Sequence, residues 1–475
     1  MLAALIETSL PYGQMLLILA VVFGFYMAWN IGANDVANAM GTSVGSGAIT
    51  VKQAVIIAGI MELAGAVLAG SDVTNTVRKG IFDPTAFEPM SLVLGFLAAL
   101  LAAAVWLQIA TWKGWPVSTT HSIVGAVVGI AIMIGGTSIV SWGGVIKIAA
   151  SWVTSPLCGG IISFLLFRFI QGRIINNKRP LQQTYRYTPY LVFYIGFVLT
   201  LVMVYKGLKN LKLDLNLGQA LIIAAIAGAV CFAVSLSWVK KIRAKHEIER
   251  ADLGVELEDD HPEGVPFVRK SDPEMDPILR PPLTEGSDTP SKRWEYRREF
   301  EYNRMEKIFG LLMVLSACFL AFAHGANDVA NAIGPLAAVV DIVQSGEIAE
   351  KSAVPIWVLL LGGAGIVIGL ATWGYKVMET VGKKITELTP SRGFAANIGA
   401  ATTIVVASRM GMPISTTHTL IGAVLGIGLA RGIDYLNLKI VRDIAISWII
   451  TIPAGGGLAA LFYLILNSIF GGATK

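Results

Sequence analysis

The eight residues GANDVANA occupy positions 32–39 and return unchanged at positions 325–332. Each copy places one carboxylate and two carboxamides in a strongly apolar neighbourhood. An ionisable group in such a place is costly unless it faces a partner, a cavity or a ligand. Because the same costly group occurs twice, we expect Asp35 and Asp328 to share one function.

The composition around these motifs is that of an integral membrane protein. Hydrophobic residues make up 54% of the 475 residues and charged residues only 15%, and the mean hydropathy is +0.65. Apolar runs of about 20 residues recur, which is long enough to cross a hydrocarbon core as a helix. The alternation typical of an outer-membrane barrel is absent from the sequence, so we expect an all-α polytopic protein. The three cysteines are isolated and predict neither a metal site nor a redox site.

The apolar segments form two groups separated by a polar gap. Those starting near 117 and 326 lie beside Gly and Pro, so we expect broken or re-entrant helices there, and about 12 spans in all. The first segment has no basic flank and no cleavage site, so we expect it to be retained. The segments lie near 10–30, 51–70, 90–112, 117–136, 143–170, 189–206, 216–238, 307–323, 326–340, 354–376, 393–409, 414–432 and 441–471.

The polar gap covers residues 239–306 and carries lysines and arginines at both membrane edges. Basic flanks favour the cytoplasmic side of the membrane. Acidic and proline-rich stretches lie between them, which indicates a solvated linker rather than a folded catalytic domain. Such basic edges account for the net charge of +5, so no nucleic-acid partner is expected.

A second motif follows each copy of the first. Residues 115–127 are WPVSTTHSIVGAV and residues 412–424 are MPISTTHTLIGAV. The copies are offset by 293 residues at the first motif and by 297 at the second, so they belong to one duplicated unit. Internal repeats are typical of secondary transporters, which hold their substrate between the repeats. We divide the chain into a first transmembrane repeat (1–170), linking transmembrane helices (171–238), the cytoplasmic polar loop (239–306) and a second repeat (307–475).

The Ser-Thr-Thr triplets are expected to open two helices inside the membrane. Proline keeps the preceding residue extended, and Ser and Thr are preferred N-caps. A helix start has unpaired N–H groups and a partial positive charge, and hydroxyls add donors, so two facing starts would form an anion cage. The alternative is that the hydroxyls only cap their helices. The candidates are Ser118, Thr119, Thr120, Ser415, Thr416 and Thr417, joined by Asn34 and Asn327; His121 and His418 are expected to hydrogen-bond, with proton transfer as the alternative.

Neither motif brings an Arg or Lys to balance a bound anion. The carboxylates of Asp35 and Asp328 and the carboxamides of Asn38 and Asn331 are hard oxygen ligands, which suit a small cation such as Na⁺. A cation held there would offset both the carboxylates and the anion. We therefore expect cation-coupled anion uptake, with a helix cap or an interhelical hydrogen bond as the alternative for each aspartate.

The two motifs resemble those of the PiT-type inorganic phosphate transporter family, whose hallmark is this duplicated Asn-Asp motif with its companion Pro-x-Ser-x-Thr-His. The resemblance covers both halves and leaves out mainly residues 171–300. It implies about 12 transmembrane helices in two inverted repeats, a large intracellular loop, and symport of inorganic phosphate with Na⁺ or H⁺. The family's carboxylates fall on Asp35 and Asp328 and its phosphate contacts on the two triplets. Thr119 and Thr416 stand where family members carry Gly, which adds two hydroxyls.

Two unpaired residues break the internal symmetry. Glu62 resembles an acidic position that the family uses in transport, whereas the corresponding stretch of the second half, around 361–363, has no acid. Glu62 is a candidate sodium ligand, with a structural partner role as the alternative. Gln108 has Val405 in the matching place and is a candidate for the phosphate site.

These features predict a secondary active transporter of the plasma or inner membrane, not an enzyme, that carries phosphate with Na⁺ by alternating access. H⁺ coupling, a metal–phosphate substrate, sulfate and a passive anion channel are the alternatives. A phosphotransferase using His121 or His418 would need an acid–base set that the sequence does not offer. The expected partners are inorganic phosphate, sodium ions and the lipid bilayer, with no cofactor beyond the coupling ion and with a homodimer as the expected assembly.

Overall fold

The computed structural model describes residues 8–69, 80–204, 215–252, 290–348, 354–374, 388–432 and 436–471. These residues are almost entirely helical, which confirms the all-α polytopic class. The helices are α1 (Gly13–Asn34), α2 (Val36–Gly45), α3 (Val51–Ala69), α4 (Pro89–Trp112), α5 (Thr119–Gly135), α6 (Trp142–Ile170), α7 (Pro180–Val204), α8 (Leu217–Asp252), α9 (Pro290–Ser345), α10 (Ile356–Trp373), α11 (Pro390–Arg409), α12 (Thr416–Arg431) and α13 (Leu438–Phe470).

Eight stretches of the described chain are long and apolar enough to cross a membrane. The sequence predicted about 12 spans, and that count stays a prediction. Two of the expected segments, α5 and α12, have only 17 and 16 residues, fewer than the roughly 20 that a full span needs. The eight are Gly13–Gly45, Val51–Leu68, Pro89–Trp112, Trp142–Ile175, Leu217–Ala251, Arg297–Ser345, Ile356–Trp373 and Val441–Phe470.

The break expected near 326 does not occur, because α9 runs unbroken for 56 residues through the second Asn-Asp motif. The segments predicted at 307–323 and 326–340 are thus one helix. Gly325 serves close packing instead, since a Cβ there would collide with the backbone of Glu62. In the first copy a short interruption at Asp35 separates α1 from α2, although the Asp35 N–H still donates to Ile31 O at 2.8 Å.

The polar gap is helical at both of its described ends. The helix α8 continues to Asp252 and α9 begins at Pro290, so regular structure extends further into 239–306 than the sequence suggested. The ends contact each other, because Arg304 lies 2.8 Å from Glu249. The acidic and proline-rich part, 253–289, lies outside the described residues.

Helices of the first repeat pack against helices of the second, and each such pair has an equivalent pair. The pairs α1–α10 and α9–α3 correspond to each other, and so do the pairs α5–α13 and α12–α6. Glycines make the closest approaches: Gly125 faces the carbonyl of Ile452, and its counterpart Gly422 faces the carbonyl of Pro156. Each repeat thus completes the core of the other, and the duplicated motifs meet between them.

Candidate functional site

Two helices start at the Ser-Thr-Thr triplets, as the sequence predicted. Ser118 is the N-cap of α5 and accepts a hydrogen bond from the His121 N–H at 3.2 Å. Ser415 caps α12 in the same way, accepting from the His418 N–H at 3.1 Å. Both serines have an extended backbone, which fits the preceding Pro-x dipeptides. Each serine oxygen is therefore used in capping, and each serine proton can still be donated.

The two helix starts face each other across the boundary between the repeats. Thr120 Oγ1 of α5 donates to the carbonyl of Ile414 at 2.9 Å. Thr417 Oγ1 of α12 lies 3.3 Å from the carbonyl of Val117 and 3.1 Å from Asp35 Oδ1. Since a hydroxyl has one proton, Thr417 donates to one of these acceptors at a time.

The central threonine of each triplet links the two motifs. Thr416 Oγ1 donates to Asp328 Oδ2 at 2.6 Å, and Thr119 Oγ1 donates to Asp35 Oδ2. In this closed arrangement the hydroxyls that the sequence assigned to an anion bond to protein carboxylates. The bonds are the same in both repeats, so the duplicated sequence has produced a duplicated contact.

The asparagines before the aspartates fix neighbouring helices. Asn34 Nδ2 donates to Thr111 Oγ1 at 2.9 Å and to the carbonyl of Trp115 at 3.1 Å. Asn327 pairs with Ser408 Oγ at 2.8 Å. The better amide orientation of Asn327 accepts from Ser408 and donates to Asp328 Oδ1 at 3.1 Å. The C-terminal turns of α4 and α11 are thereby tied to the Asn-Asp motifs.

The carboxylates converge on a histidine that the sequence reasoning missed. His324 Nδ1 lies 2.8 Å from Glu62 Oε2, and His324 Nε2 lies 2.8 Å from Asp328 Oδ2. Because Ile31 precedes the first copy of the motif, duplication gives no signal at His324. The available signal was a histidine four residues before Asp328 in an apolar helix, where the two side chains share one face.

Glu62 and the two aspartates form one closed cluster with His324. Ligand atoms of Asp35, His324 and Asp328 all lie within 4.8 Å of one another. Asn331 Nδ2 donates to Thr120 Oγ1, in the first of the two triplets, at 3.3 Å. The side chain of Asn38 lies outside the described part of the structure. The clustered carboxylates, His324 and both triplets are each at most 3% exposed.

His121 and His418 lie beside the cluster and pack against each other. Their ring centroids are 4.3 Å apart. Each ring also contacts a tryptophan of its own repeat, with centroid distances of 3.8 Å for His121–Trp152 and 3.5 Å for His418–Trp448. The four rings thus form a continuous row of contacts between α5, α6, α12 and α13.

Gln108 is not brought into the cluster. Its Oε1 accepts from the Tyr26 hydroxyl at 3.4 Å. The groove beside it is lined mostly by apolar side chains of α1, with Leu361 of α10 at its edge. Its described contacts therefore give no support to the expected role in anion binding.

The cluster can bind ions of both signs. Two facing helix starts and six hydroxyls favour an oxyanion. The carboxylates of Asp35 and Asp328, whose ligand atoms lie within 4.8 Å of each other, favour cations with hard oxygen ligands. Among the described residues, His324 is the one basic side chain in contact with these carboxylates, so a bound cation would add positive charge that the cluster itself does not supply.

Comparisons with known proteins agree with this chemistry. The family model described as phosphate transporter family matches residues 31–459. A protein named as a phosphate permease from Haemophilus influenzae is 45% identical and covers 98% of this chain and 100% of the relative. Inorganic phosphate transporter 2-1, chloroplastic, of Arabidopsis thaliana is 44% identical over 94% of this chain and 72% of the relative.

A solved structure called the sodium-dependent phosphate transporter superposes with a TM-score of 0.80 at 37% identity, covering 96% of this chain and 100% of that one. These proteins are transporters and permeases, in agreement with the expectation that the chain is not an enzyme. The match extends over nearly the whole sequence and both repeats. The chain therefore belongs to the phosphate transporter family.

Proposed function

We propose that this protein is a secondary transporter that carries inorganic phosphate together with Na⁺ across a cytoplasmic membrane by alternating access. The observation that carries the proposal is the meeting of Asp35, His324 and Asp328 between two helix starts from different repeats. Family membership supports phosphate as the substrate. The sodium-dependent structural neighbour supports Na⁺ as the coupling ion.

The hydrogen bonds of the closed cluster suggest how cation and anion depend on each other. Thr119 and Thr416 each donate their single proton to an aspartate. A cation bound to that carboxylate competes for the same oxygen lone pairs. The released hydroxyl can then donate to phosphate, which adds a charge-assisted hydrogen bond. Cation binding thus prepares the anion site, and this dependence is what coupled transport requires.

Alternating access follows from the burial of the cluster. The cluster is buried in this arrangement, so the repeats would have to move for ions to enter, and alternating access opens the site to one face at a time. Unloaded carboxylates resist the movement because they are charged and poorly solvated. Sodium ions on Asp35, Asp328, Asn38 and Asn331 would remove this penalty, and Ser118, Ser415 and the threonines would hold phosphate.

The proposal also covers the topology of the protein and the membrane in which it lies. Basic residues near the end of α8 and the start of α9 favour the cytoplasm for the polar gap 239–306. The plasma or inner membrane and the four-part division at 170, 238 and 306 agree with this topology. In the division, α9 begins within the polar gap and ends within the second repeat.

Labelled phosphate uptake into proteoliposomes tests the proposal. We expect accumulation above equilibrium under an inward Na⁺ gradient, loss of accumulation when an ionophore dissipates that gradient, and weak competition by sulfate. Equilibration without accumulation would instead indicate a passive channel. H⁺ coupling is the second candidate, because His324 lies between two carboxylates and the three groups can share protons. Accumulation driven by a pH gradient without Na⁺ would select it.

A further inference from the structure

Close glycine contacts define which residues correspond in the two repeats. Gly325 packs against the carbonyl of Glu62, and Gly32 packs against the carbonyl of Ile366. One turn away, Gly65 meets the carbonyl of Phe322 and Gly369 meets that of Trp29. Both contacts give the same register. The counterpart of Glu62 is therefore Ile366, a few residues beyond the stretch around 361–363 that the sequence suggested.

The same register pairs His324 with Ile31. Both residues directly precede the glycine of their motif. One repeat thus has a Glu–His pair where the other has two isoleucines, although the aspartates, threonines and asparagines around them are duplicated. Asp328 faces an imidazole, whereas Asp35 receives hydrogen bonds from the neutral hydroxyls of Thr119 and Thr417.

Glu62 determines which ring nitrogen faces Asp328. Its Oε2 contacts Nδ1 of His324, which leaves Nε2 directed at Asp328 Oδ2. A carboxylate on one imidazole nitrogen is a common way to orient a ring whose other nitrogen acts elsewhere. Glu62 Oε2 therefore has a protein partner, which agrees with the structural alternative for this residue. Glu62 Oε1 is buried without a hydrogen-bond partner among the described residues, so the role of sodium ligand stays a prediction.

We propose that His324 is a positioning residue: Glu62 orients its ring, its Nε2 positions the Asp328 carboxylate, and the cation sites at Asp35 and Asp328 are therefore unequal. This inference rests on the proposed function. It makes the two halves of a duplicated site unequal, because the Asp328 carboxylate contacts an imidazole at 2.8 Å whereas the Asp35 carboxylate has hydroxyl donors.

Two amide substitutions separate the contacts of His324. The Nδ2 of an asparagine occupies roughly the place of Nδ1, and the Nε2 of a glutamine the place of Nε2. His324→Asn therefore keeps the contact with Glu62 and loses the contact with Asp328. His324→Gln keeps a donor for Asp328. A residue that only fills space would not distinguish the two variants.

The first measurement is the Na⁺ dependence of labelled phosphate uptake by the full chain in proteoliposomes. We expect His324→Gln to stay within about threefold of the wild-type half-saturation for Na⁺, and His324→Asn to raise it about tenfold or more, because the asparagine no longer reaches Asp328 to position its carboxylate. His246→Asn and His246→Gln are matched controls, since His246 contacts Tyr185 near the end of α8. Equal impairment by the two His324 variants would overturn the proposal.

The second measurement does not depend on transport. Na⁺ that binds the folded state raises the unfolding temperature of the purified protein relative to choline. We expect this rise in the wild type and in His324→Gln, and its loss in Asp35→Asn. A full Na⁺-dependent rise in Asp35→Asn would contradict a cation site at Asp35, and with it the proposal. If the wild type shows the rise but no accumulation of phosphate, the proposed function fails while the cation site stands.

Discussion

At the scale of single residues, the site depends on hydroxyls that have a choice of acceptor. Thr417 lies within hydrogen-bond distance of Asp35 and of the carbonyl of Val117, and Thr416 donates to Asp328. A hydroxyl rotates at little cost. It can therefore stop donating to a carboxylate and donate to a phosphate oxygen without movement of the helix. Amide groups such as Asn34, held by two acceptors, are fixed by comparison.

Asp35→Asn and Asp328→Asn are each expected to abolish Na⁺-driven accumulation of phosphate. The change is nearly isosteric and removes the charge that a cation would neutralise, so the protein should still reach the membrane. Asp443→Asn is the control, because Asp443 is exposed and pairs only with Arg442 among described ion pairs. Uptake under an imposed Na⁺ gradient checks this. Normal accumulation in both variants would contradict the proposed coupling of phosphate to Na⁺.

Thr417→Val is expected to weaken phosphate binding more than it weakens folding. It removes one donor from the proposed anion cage, and a hydrogen bond to a charged ligand is worth about 1 kcal/mol or more, which corresponds to about fivefold in half-saturation. Thr402→Val is the matched control, since Thr402 bonds to Tyr194 rather than to the cluster. An unchanged phosphate half-saturation in Thr417→Val would reject the cage.

At the scale of helices, glycine has two meanings that the sequence alone does not separate. Gly325 in the sequence predicts a break, yet α9 is continuous there and the glycine permits contact with α3. A missing side chain predicts either flexibility or close approach, and the choice depends on a neighbour distant in sequence. The starts of α5 and α12 were predictable because proline and the capping serine act locally.

Gly65→Ala and Gly369→Ala are expected to destabilise the protein to similar extents. In each case a Cβ would collide with a backbone carbonyl, of Phe322 or of Trp29, and backbone cannot move aside as a flexible side chain can. Gly457→Ala is the control, because no atom lies within 4 Å of the Cβ position there and alanine improves helix propensity by about 1 kcal/mol. Unfolding temperatures in detergent check this, and loss of stability in the control alone would contradict the packing.

Duplication was a good guide to what the repeats share and a poor one to what they do not. It identified both aspartates and both triplets, which do meet in one cluster. It gave no weight to His324, whose counterpart is Ile31. Gln108 became a candidate because it is unpaired, and its described contact is with Tyr26, so its role in anion binding stays a prediction. Long-range contacts of residues that occur once carry no repeated pattern, so only the three-dimensional structure reveals them.

At the scale of the whole molecule, three buried polar side chains that bond to one another have no polar counterparts under the internal repeat. Thr42 Oγ1 donates to Asn397 Oδ1 at 2.9 Å, and Asn397 Nδ2 donates to Ser316 Oγ at 3.3 Å, all three side chains being buried. By the offsets of 293 and 297, their counterparts in the other half are Pro335, Leu100 and Phe23. Ser316 lies on the part of α9 between Asp328 and the polar gap, so we expect these polar side chains to lie on the side of the site that opens toward that face.

Opening toward the face of the polar gap should therefore wet Asn397 before its counterpart Leu100. Water can replace the hydrogen bonds of Thr42, Asn397 and Ser316, whereas wetting Leu100 exposes apolar surface at about 25 cal/mol per Å². In a chain whose native Cys158, Cys231 and Cys318 have been replaced, Asn397→Cys is expected to react with a membrane-impermeant thiol reagent added to that face, and Leu100→Cys to react at least tenfold more slowly. Both variants must retain uptake for the comparison to hold. Equal labelling of the two cysteines from that face would contradict this prediction. It would mean that the polar side chains only hold helices together and that water enters both halves equally.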